Sequence, residues 1–112
     1  MTDECPFCSY DGPNEILFRG THIYVVEPIN PVVEGHVLVI PFNHVEDATQ
    51  SMFLTGEVMA FAGWWVKEKG IGDANLITSI GPAATQTVRH MHVHVVPRFD
   101  GDGLMLPWSE MP

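Results

Sequence analysis

The sequence has few positive charges and no long apolar run. Five Lys and Arg oppose fourteen Asp and Glu among its 112 residues, which gives a formal net charge of −9 at pH 7. Proteins that bind a nucleic-acid backbone or an anionic membrane surface do so with clustered cations, so we expect neither partner. No stretch of about 18 apolar residues occurs, which argues against a membrane-spanning helix. A local phosphate site is still compatible with an acidic chain.

Basic residues are also missing from the start of the sequence, and cysteines are scarce. Residues 1–4 are Met-Thr-Asp-Glu, without the basic segment that opens a secretory signal peptide, so we expect a cytoplasmic protein. The two cysteines, Cys5 and Cys8, form a C-x-x-C motif. In a reducing compartment this spacing indicates metal binding or redox chemistry rather than a structural disulfide.

The remaining composition is that of one globular domain. Hydrophobic residues make up 46% of the chain and charged residues 17%, and the length matches a single ordinary domain. No internal repeat, low-complexity run or long linker divides the sequence. We therefore expect a single domain over residues 1–112, with a core that forms without disulfides.

Short runs of apolar and β-branched residues predict five strands. The predicted strands cover residues 15–19, 22–26, 36–40, 75–80 and 88–96. Gly20-Thr21, between the first two, suits a hairpin turn because Gly accepts positive φ.

Between the third and fourth strands the apolar period changes to that of a helix. Apolar and small side chains recur at intervals of three and four over residues 47–69. The candidate N-caps are Asp47, Thr49 and Ser51. Gly70 is a natural residue after the helix end, and we expect Gly56 and Gly63 to admit a closely packed element. Because helices and strands do not alternate regularly, the predicted class is α+β with a largely antiparallel sheet.

Three of the six histidines alternate with apolar residues in the last predicted strand. In an extended strand His90, His92 and His94 point to one face, and the apolar residues between them point to the core. A row of imidazoles can attack phosphorus, shuttle protons or bind a metal ion. The pattern favours these functions over a set of exposed histidines without chemistry.

The loop that precedes the histidine row is rich in small residues. Over residues 80–87 the small side chains leave backbone N–H groups accessible, and Gln86 and Thr87 add side-chain donors, which suits an anion such as phosphate. Taken alone, such a loop is more typical of an ordinary strand connection. Its position beside three imidazoles favours an anion site.

Together these motifs resemble those of the histidine triad (HIT) superfamily of nucleotide hydrolases and transferases. The matching segments are His-Met-His-Val-His-Val-Val at 90–96, Gln-Thr-Val at 86–88, Gly-His-Val-Leu-Val-Ile-Pro at 35–41 with His44 after it, and Asn-Pro at 30–31. The Cys-Pro-Phe-Cys segment at 5–8 is similar to that of the zinc-containing bacterial branch. The resemblance covers residues 5–98 and leaves residues 99–112 as a tail.

The resemblance implies a HIT-like α+β protomer, with an antiparallel sheet of about five strands and one long helix. Two protomers would pair into a homodimer with a continuous ten-stranded sheet. The implied reaction is attack on the α-phosphate of a nucleotide conjugate, through a covalent nucleotidyl-histidine intermediate that water then cleaves. The implied ligand is a purine nucleotide or its conjugate, either a nucleoside phosphoramidate or a dinucleoside polyphosphate.

The resemblance also implies roles by position. His92 would be the nucleophile, the carbonyl of His90 would fix its tautomer, and His94 would hold the phosphate oxygens or the bridging atom. His36 corresponds to the fourth active-site histidine. The implied substrate-binding residues are Ser79, Thr85, Gln86 and Thr87.

Three residues depart from the family pattern. Pro28 stands where an Asp usually binds the ribose hydroxyls, Ser79 stands where an Asn is usual, and Thr85 replaces a common Gly. These replacements leave an alternative open, a nucleotide-binding sensor with little turnover. A second alternative is a metal-binding module in which the histidine row itself is the chelator.

A structural zinc ion needs four ligands, of which the C-x-x-C motif supplies two. In the zinc-bearing relatives the other two are the histidine after the Ile-Pro-x-x-His segment and the first histidine of the triad. The resemblance therefore implies a zinc site formed by Cys5, Cys8, His44 and His90, which would fasten the N-terminal loop to the sheet. The alternative is a C-x-x-C motif without metal. No catalytic cofactor is expected, because an imidazole would be the nucleophile.

Overall fold

The protein is described by a computed structural model over residues 5–109. These residues form a five-stranded antiparallel sheet with the strand order β1-β2-β3-β5-β4. The elements are β1 (Ile16–Arg19), β2 (Ile23–Val26), β3 (Val37–Pro41), the helix α1 (Met52–Glu68), β4 (Asp73–Ile77), a short 3₁₀ helix (Pro82–Ala84) and β5 (Val93–Arg98). The predicted α+β class is confirmed. The signal-peptide argument concerns residues 1–4, which lie outside the described residues, as do residues 110–112 of the tail.

Strands β2 and β3 are buried on both faces, because they are apolar at every position. In β2, Ile23 and Val25 belong to a core under α1, while Tyr24 and Val26 belong to a second core under the N-terminal loop, residues 5–14. β3 follows the same alternation. The sheet therefore separates two cores, and a side chain's position in a strand decides which core it enters.

Helix α1 packs an apolar stripe on one face of the sheet. The hydroxyl oxygen of Ser51 accepts a hydrogen bond from the N–H of Leu54 at 3.0 Å and caps the first turn. The buried residues of the stripe are Leu54, Val58, Ala62 and Trp65. After the helix, Gly70 adopts a φ of +69°, as predicted for a residue that ends a helix. Across residues 5–109, no helix is both long enough and apolar enough to cross a membrane.

The start of the helix and the bounds of the fourth strand differ from the sequence prediction. The helix begins later than residue 47, because the Oδ1 of Asp47 accepts the N–H of Thr49 at 2.9 Å and closes a separate turn. The fourth strand spans Asp73–Ile77 rather than residues 75–80, since its pairing with β5 runs from Asp73 opposite Arg98 to Ile77 opposite His94. The ends of a strand depend on how far its partner pairs with it. The local sequence does not encode this pairing.

The last strand is shorter than its apolar alternation predicts. β5 starts at Val93, so His90 and His92 precede the strand rather than lie within it. Pairing with the neighbouring strands begins only at Val93, because the N–H of Met91 instead donates to the carbonyl of Val45, in a loop, at 2.8 Å. The extended alternation continues all the same, since Met91 is fully buried in the core under α1. The predicted division of this segment, with imidazoles opposite the helix, is therefore correct although the strand boundary is wrong.

In the described part of the chain no element packs closely against the helix glycines Gly56 and Gly63, contrary to the sequence expectation. A Cβ atom added at either position meets no heavy atom within 4 Å in the described part of the chain. We predict that Gly56→Ala and Gly63→Ala each raise the free energy of unfolding by about 1 kcal/mol, because Ala has the higher helix propensity. Urea denaturation measures the change. A loss of stability at either position would show that another chain packs against that glycine.

Candidate active site and metal site

A cavity of about 420 Å³ opens on the face of the sheet opposite α1. Its wall includes the apolar side chains of Phe7, Val26 and Leu38, and the imidazoles of His92 and His94 also line it. The volume is within the range of small-molecule sites, roughly 300–1,000 Å³. This combination suits a ligand with a flat apolar part and a polar group that reaches the imidazoles.

Carboxylates border one edge of this cavity. Asp11 and Glu27 line it, next to Pro28. Asn14 fixes this edge, since its Nδ2 donates to the carbonyl oxygens of Glu27 at 2.8 Å and of Pro28 at 3.1 Å. Hydroxyl groups of a ligand at this edge would therefore meet a carboxylate acceptor.

His92 is held in one orientation by the groups around it. Its Nδ1 lies 2.7 Å from the carbonyl oxygen of His90, which can only accept, so the hydrogen bond assigns the proton to Nδ1. The Nε2 atom then carries the free lone pair. The carbonyl of His92 accepts a hydrogen bond from the hydroxyl of Thr78 at 2.7 Å. The ring of Phe7 lies edge-on to the imidazole, with the two ring centroids 5.1 Å apart. Both the backbone and the ring of His92 are thus fixed.

A second chain of hydrogen bonds sets the tautomer of His94. The N–H of Val32 donates to the Nδ1 of His36 at 3.1 Å, so the proton of His36 is on Nε2. That Nε2 lies 3.0 Å from the Nδ1 of His94 and donates to it. The remaining proton of His94 is therefore on its own Nε2. The Nε2 of His92 therefore carries a lone pair, whereas the Nε2 of the neighbouring His94 carries a proton.

Burial keeps these imidazoles neutral. It lowers the pKa of His36, and it lowers the pKa of His92 against the opposing effect of the hydrogen bond to His90. It also lowers the pKa of His94 to about 4, with a further contribution from the two neighbouring imidazoles. At pH 7 each ring keeps one proton and one lone pair. Nucleophilic attack by an imidazole needs the lone pair of this neutral state.

Gln86 holds the loop that precedes the histidines. Its side chain is buried, and its Nε2 donates to the carbonyls of Glu46 at 2.6 Å and Val88 at 2.9 Å. Its Oε1 accepts the N–H of Gly81 at 2.9 Å. Both amide protons are engaged, so Gln86 shapes the loop in this conformation. Its contact with a substrate phosphate stays a prediction.

Thr85 holds a strained conformation at the edge of the cavity, which Ser79 and Thr87 also line. Its φ of 68° and ψ of 27° lie in the left-handed region, and within residues 5–109 it is the only residue other than Gly with a positive φ. This conformation costs a side-chain-bearing residue about 1–2 kcal/mol. The loop thus keeps a shape natural to Gly although a Thr occupies the position.

The four predicted metal ligands converge where the N-terminal loop meets the sheet. The ligand atoms of Cys5, Cys8, His44 and His90 all lie within 4.8 Å of one another. Three of the four Sγ–Nδ1 distances are 3.2–3.6 Å, and the Nδ1 atoms of the two histidines are 3.1 Å apart. Tetrahedral zinc, with bonds of about 2.0–2.3 Å, separates its ligands by about 3.3–3.8 Å. The donor set and its spacing therefore fit a zinc ion.

His90 connects the metal site to the active site. Its Nε2 lies 2.7 Å from the carbonyl of Pro41, which accepts, so its Nδ1 presents a lone pair to Cys5 and Cys8. The carbonyl of the same residue accepts the Nδ1 proton of His92. One buried residue therefore supplies a ligand atom and also fixes the tautomer of the neighbouring imidazole.

The sequence assigned no role to three residues at the site: Phe7, Tyr24 and Thr78. The buried hydroxyl of Tyr24 donates to the carbonyl of Phe7 at 2.7 Å and so fixes the ring that contacts His92. Thr78 supports the carbonyl of His92. Phe7 has one usable signal, its position between two cysteines whose partner is His90. Tyr24 and Thr78 act through contacts distant in sequence and have none.

Comparison with known proteins agrees with this fold. The family model described as HIT domain matches residues 11–101. The chain is 29% identical to an uncharacterized HIT-like protein of Methanocaldococcus jannaschii, over 96% of this chain and 88% of that protein. It is 27% identical to the bis(5′-adenosyl)-triphosphatase of Saccharomyces cerevisiae over 92% of this chain, but the match spans only 61% of that enzyme. A solved zinc-bound histidine triad family protein from Mycobacterium smegmatis is 35% identical, with a TM-score of 0.77 over 91% of this chain and 80% of that chain.

The strain at Thr85 can be measured by substitution. We predict that Thr85→Gly raises the free energy of unfolding by about 0.5–1 kcal/mol, because relief of the left-handed strain outweighs the larger conformational entropy of Gly in the unfolded chain. Thr87→Gly is the matched control. The φ of Thr87 is not positive, so this change should lower the free energy of unfolding by about 0.5–1 kcal/mol. Equal destabilisation by both substitutions would show that the loop is not strained.

Proposed function

The chain belongs to the HIT domain family, and on that basis we propose that it is a nucleotidyl hydrolase that cleaves a nucleotide conjugate at its α-phosphate. The observation that carries the proposal is the state of His92, whose Nδ1 proton is held by His90 while its Nε2 lone pair stays free beside the cavity. A neutral imidazole in this state is a competent nucleophile. The activity named for the yeast relative, a triphosphatase of an adenosine conjugate, supports hydrolysis of this kind.

The reaction would proceed in two displacements at phosphorus. In the first, Nε2 of His92 forms a bond to the α-phosphorus, and the electron pair of the breaking bond goes to the leaving group. The nucleotide is then held covalently on His92. In the second, water attacks the same phosphorus and the electron pair of the P–N bond returns to Nε2. The carbonyl of His90 stays hydrogen-bonded to Nδ1 and stabilises the positive ring in the intermediate.

The neighbouring groups would bind the phosphate and support the charge that develops on it. His94 donates from Nε2 to a phosphate oxygen or to the bridging atom. His36 is a positioning residue, because it holds the Nδ1 of His94. The hydroxyls of Ser79 and Thr87 line the same cavity and offer further donors, whereas the hydroxyl of Thr85 donates to the carbonyl of Ala84 in this conformation.

The rest of the cavity suits a purine nucleoside. The base fits the apolar wall formed by Phe7, Val26 and Leu38. The ribose hydroxyls would reach the carboxylate of Asp11 or Glu27, the two acidic groups at the cavity edge. Either carboxylate would then replace the ribose-binding Asp that is usual where this chain has Pro28.

A nucleotide-binding protein with little turnover is the second candidate. Two observations favour it: the hydroxyl of Thr85 donates to the carbonyl of Ala84, and both amide protons of Gln86 are engaged with backbone carbonyls. In this conformation neither side chain has a proton left to donate to the charge that develops on the phosphate. Hydrolysis of adenosine 5′-phosphoramidate separates the two candidates.

We further propose that Cys5, Cys8, His44 and His90 bind a structural zinc ion. The convergence of their ligand atoms and the zinc-bound relative from M. smegmatis support this assignment. When bound, the ion would cross-link the N-terminal loop to the sheet and would leave the chemical step to the imidazoles. We place the protein in the cytoplasm, where the two thiols stay reduced and available to the metal.

We also propose that two chains pair through β4 into a homodimer. Within residues 5–109, β4 forms an outer edge of the sheet with a neighbouring strand on one side only. β1 lies at the other edge, but a register shift between Ile16 and Phe18 interrupts its ladder. Antiparallel pairing of two β4 strands would give a continuous ten-stranded sheet. Light scattering should then report about 25 kDa, twice the 12.5 kDa of the chain, whereas the mass of a single chain would contradict the pairing.

The hydrolase proposal predicts a specific loss of activity. The wild-type protein should release AMP from adenosine 5′-phosphoramidate, and His92→Ala should lower kcat/KM by about 10³-fold or more, because the nucleophile is lost. His22→Ala is the matched control, since His22 is exposed and pairs with Glu57 outside the cavity. Chromatography of the products measures AMP release, with the zinc content of all three proteins matched.

Two other outcomes have defined meanings. Full activity of His92→Ala would exclude His92 as the nucleophile. If the wild type releases no AMP but AMP raises its melting temperature, the protein is the nucleotide-binding protein of the second candidate.

The zinc proposal predicts a change in stability as well as in composition. Cys8→Ser should lose most of the bound zinc and melt about 10 °C or more below the wild type, because metal binding contributes to the free energy of folding. Ser9→Ala, at the next position, is the control and should keep both the ion and the melting temperature. Elemental analysis and circular dichroism measure the two quantities. An unchanged melting temperature after zinc removal would contradict a structural role.

A further inference from the structure

A second, more open cavity lies on the α1 face of the sheet, opposite the candidate active site, and has a volume of about 490 Å³. Its wall is formed by the end of β1, the β1–β2 hairpin and the start of β2, together with Glu57 and Phe61 of α1. No residue of this wall lines the active-site cavity. The two cavities are therefore separate sites, and a ligand of the second one need not take part in a reaction at His92.

The carboxylate of Glu57 is the only acidic group among the described residues that line this cavity, and it lacks a hydrogen-bond donor. Its Oε1 is closed to solvent and has no hydrogen-bond partner within residues 5–109. Its Oε2 lies 3.5 Å from Nδ1 of His22, which is longer than a normal N–H···O hydrogen bond of about 2.7–3.2 Å. A carboxylate that is partly shut off from water and has no donor is held at a cost to the stability of the fold.

Phenyl rings supply the apolar part of the wall. Phe18 of β1 and Phe61 of α1 both line the cavity, and their ring centroids are 5.1 Å apart. The ring of Trp64 lies beside them, with centroids 6.4 Å from Phe18 and 5.2 Å from Phe61, and this side chain is 47% exposed. Aromatic faces attract cations, and they also pack against the apolar body of a ligand.

The charges at the cavity favour an organic cation. Among residues 5–109 no Lys or Arg lines it, and the whole chain carries a formal net charge of −9 at pH 7. A zinc ion is not favoured, because His22 and Glu57 are the only imidazole or carboxylate ligands in the described wall, whereas zinc takes four ligands. An ammonium group, in contrast, supplies both a positive charge and the missing N–H donor.

We propose that this cavity binds a small organic cation, a primary ammonium group on an aromatic body. The ammonium would donate an N–H to Oε2 of Glu57 in place of the long contact with His22. Because the carboxylate shares its charge between both oxygens, the cation would also stabilise the buried Oε1. The aromatic body would pack against Phe18 and Phe61, in a volume within the range of small-molecule sites, roughly 300–1,000 Å³. The site would exist whether or not the chain is a hydrolase.

Three probes that differ only in the head group test the chemistry: phenethylamine, its N,N,N-trimethyl derivative and 2-phenylethanol. Phenethylamine is protonated at pH 7, as the ammonium of Lys is, and should bind most tightly. The trimethyl derivative keeps the charge without an N–H, and the alcohol keeps a donor without the charge. Each should bind about tenfold more weakly than the amine, because hydrogen bonds between charged groups are the strongest.

Titration of the ¹⁵N-labelled, zinc-containing protein, followed by amide chemical shifts, gives the Kd of each probe and the place where it binds. For phenethylamine we expect the largest shifts at residues 18–23 and 57–64. Largest shifts at residues 90–94 would place the amine in the active-site cavity and would overturn the inference. Equal affinity for the alcohol, or tighter binding of the trimethyl derivative, would show that the carboxylate does not select the ligand and would also overturn it.

A substitution at the carboxylate tests the location. Glu57→Gln keeps the size of the side chain and removes its charge, so the Kd of phenethylamine should rise at least about tenfold. Glu68→Gln is the matched control, since Glu68 is exposed about three turns further along α1 and lines neither cavity. It removes the same charge and should leave the Kd unchanged. Equal losses in the two variants would show that only the net charge matters and would overturn the site.

The stability of the ligand-free protein provides an independent test. Glu57→Met removes the carboxylate and keeps an unbranched side chain, so the melting temperature should rise by about 4 °C or more while phenethylamine binding is lost. Circular dichroism measures the melting temperature, and the same titration measures binding. A lower melting temperature would show that the carboxylate stabilises the fold without a ligand. Retained binding by the folded variant would show that the amine does not bind at Glu57.

Discussion

The hydrogen bond from Nδ1 of His92 to the carbonyl of His90 is the interaction on which the rest of the site depends. A free imidazole exchanges its proton between two nitrogens, and the wrong tautomer would present an N–H rather than a lone pair to phosphorus. The carbonyl that prevents this cannot move easily, because the ring of His90 is held by Pro41 at one nitrogen and faces the two cysteines at the other. The candidate nucleophile is therefore oriented by a residue that is itself anchored.

The two cores of the sheet make this anchoring possible. Burial of Met91 and Val93 under α1 requires the residues that alternate with them to face the opposite side. The N-terminal loop closes that side. Tyr24 holds the carbonyl of Phe7, and the Phe7 ring contacts His92, so the loop that carries the cysteines also forms a wall of the cavity. Hydrophobic burial on one face of the sheet thus places the imidazoles on the other face.

The sequence predicted the functional motifs and the face of the sheet that each side chain occupies. It predicted the boundaries of the strands and the long-range contacts less well. The alternation around the histidine row assigns the correct faces even though β5 begins only at Val93, because an extended chain alternates with or without a paired strand. The start of the strand depends on the bond between Met91 and Val45, which no local pattern encodes. The four candidate metal ligands followed from a family resemblance that covers residues 5–98. The pairing of Arg98 with Asp102 did not, because it depends on the path of the tail that brings Asp102 to Arg98.

The position of the proton on each imidazole can be observed directly. Long-range ¹H–¹⁵N correlation spectra of the zinc-containing, nucleotide-free protein at pH 7 distinguish the two neutral tautomers by their nitrogen shifts. We expect the proton on Nδ1 in His92 and on Nε2 in His36 and His94, as their hydrogen bonds require. A proton on Nε2 of His92, or equal populations of its two tautomers, would show that the nucleophile is not oriented before substrate binds and would contradict the central claim.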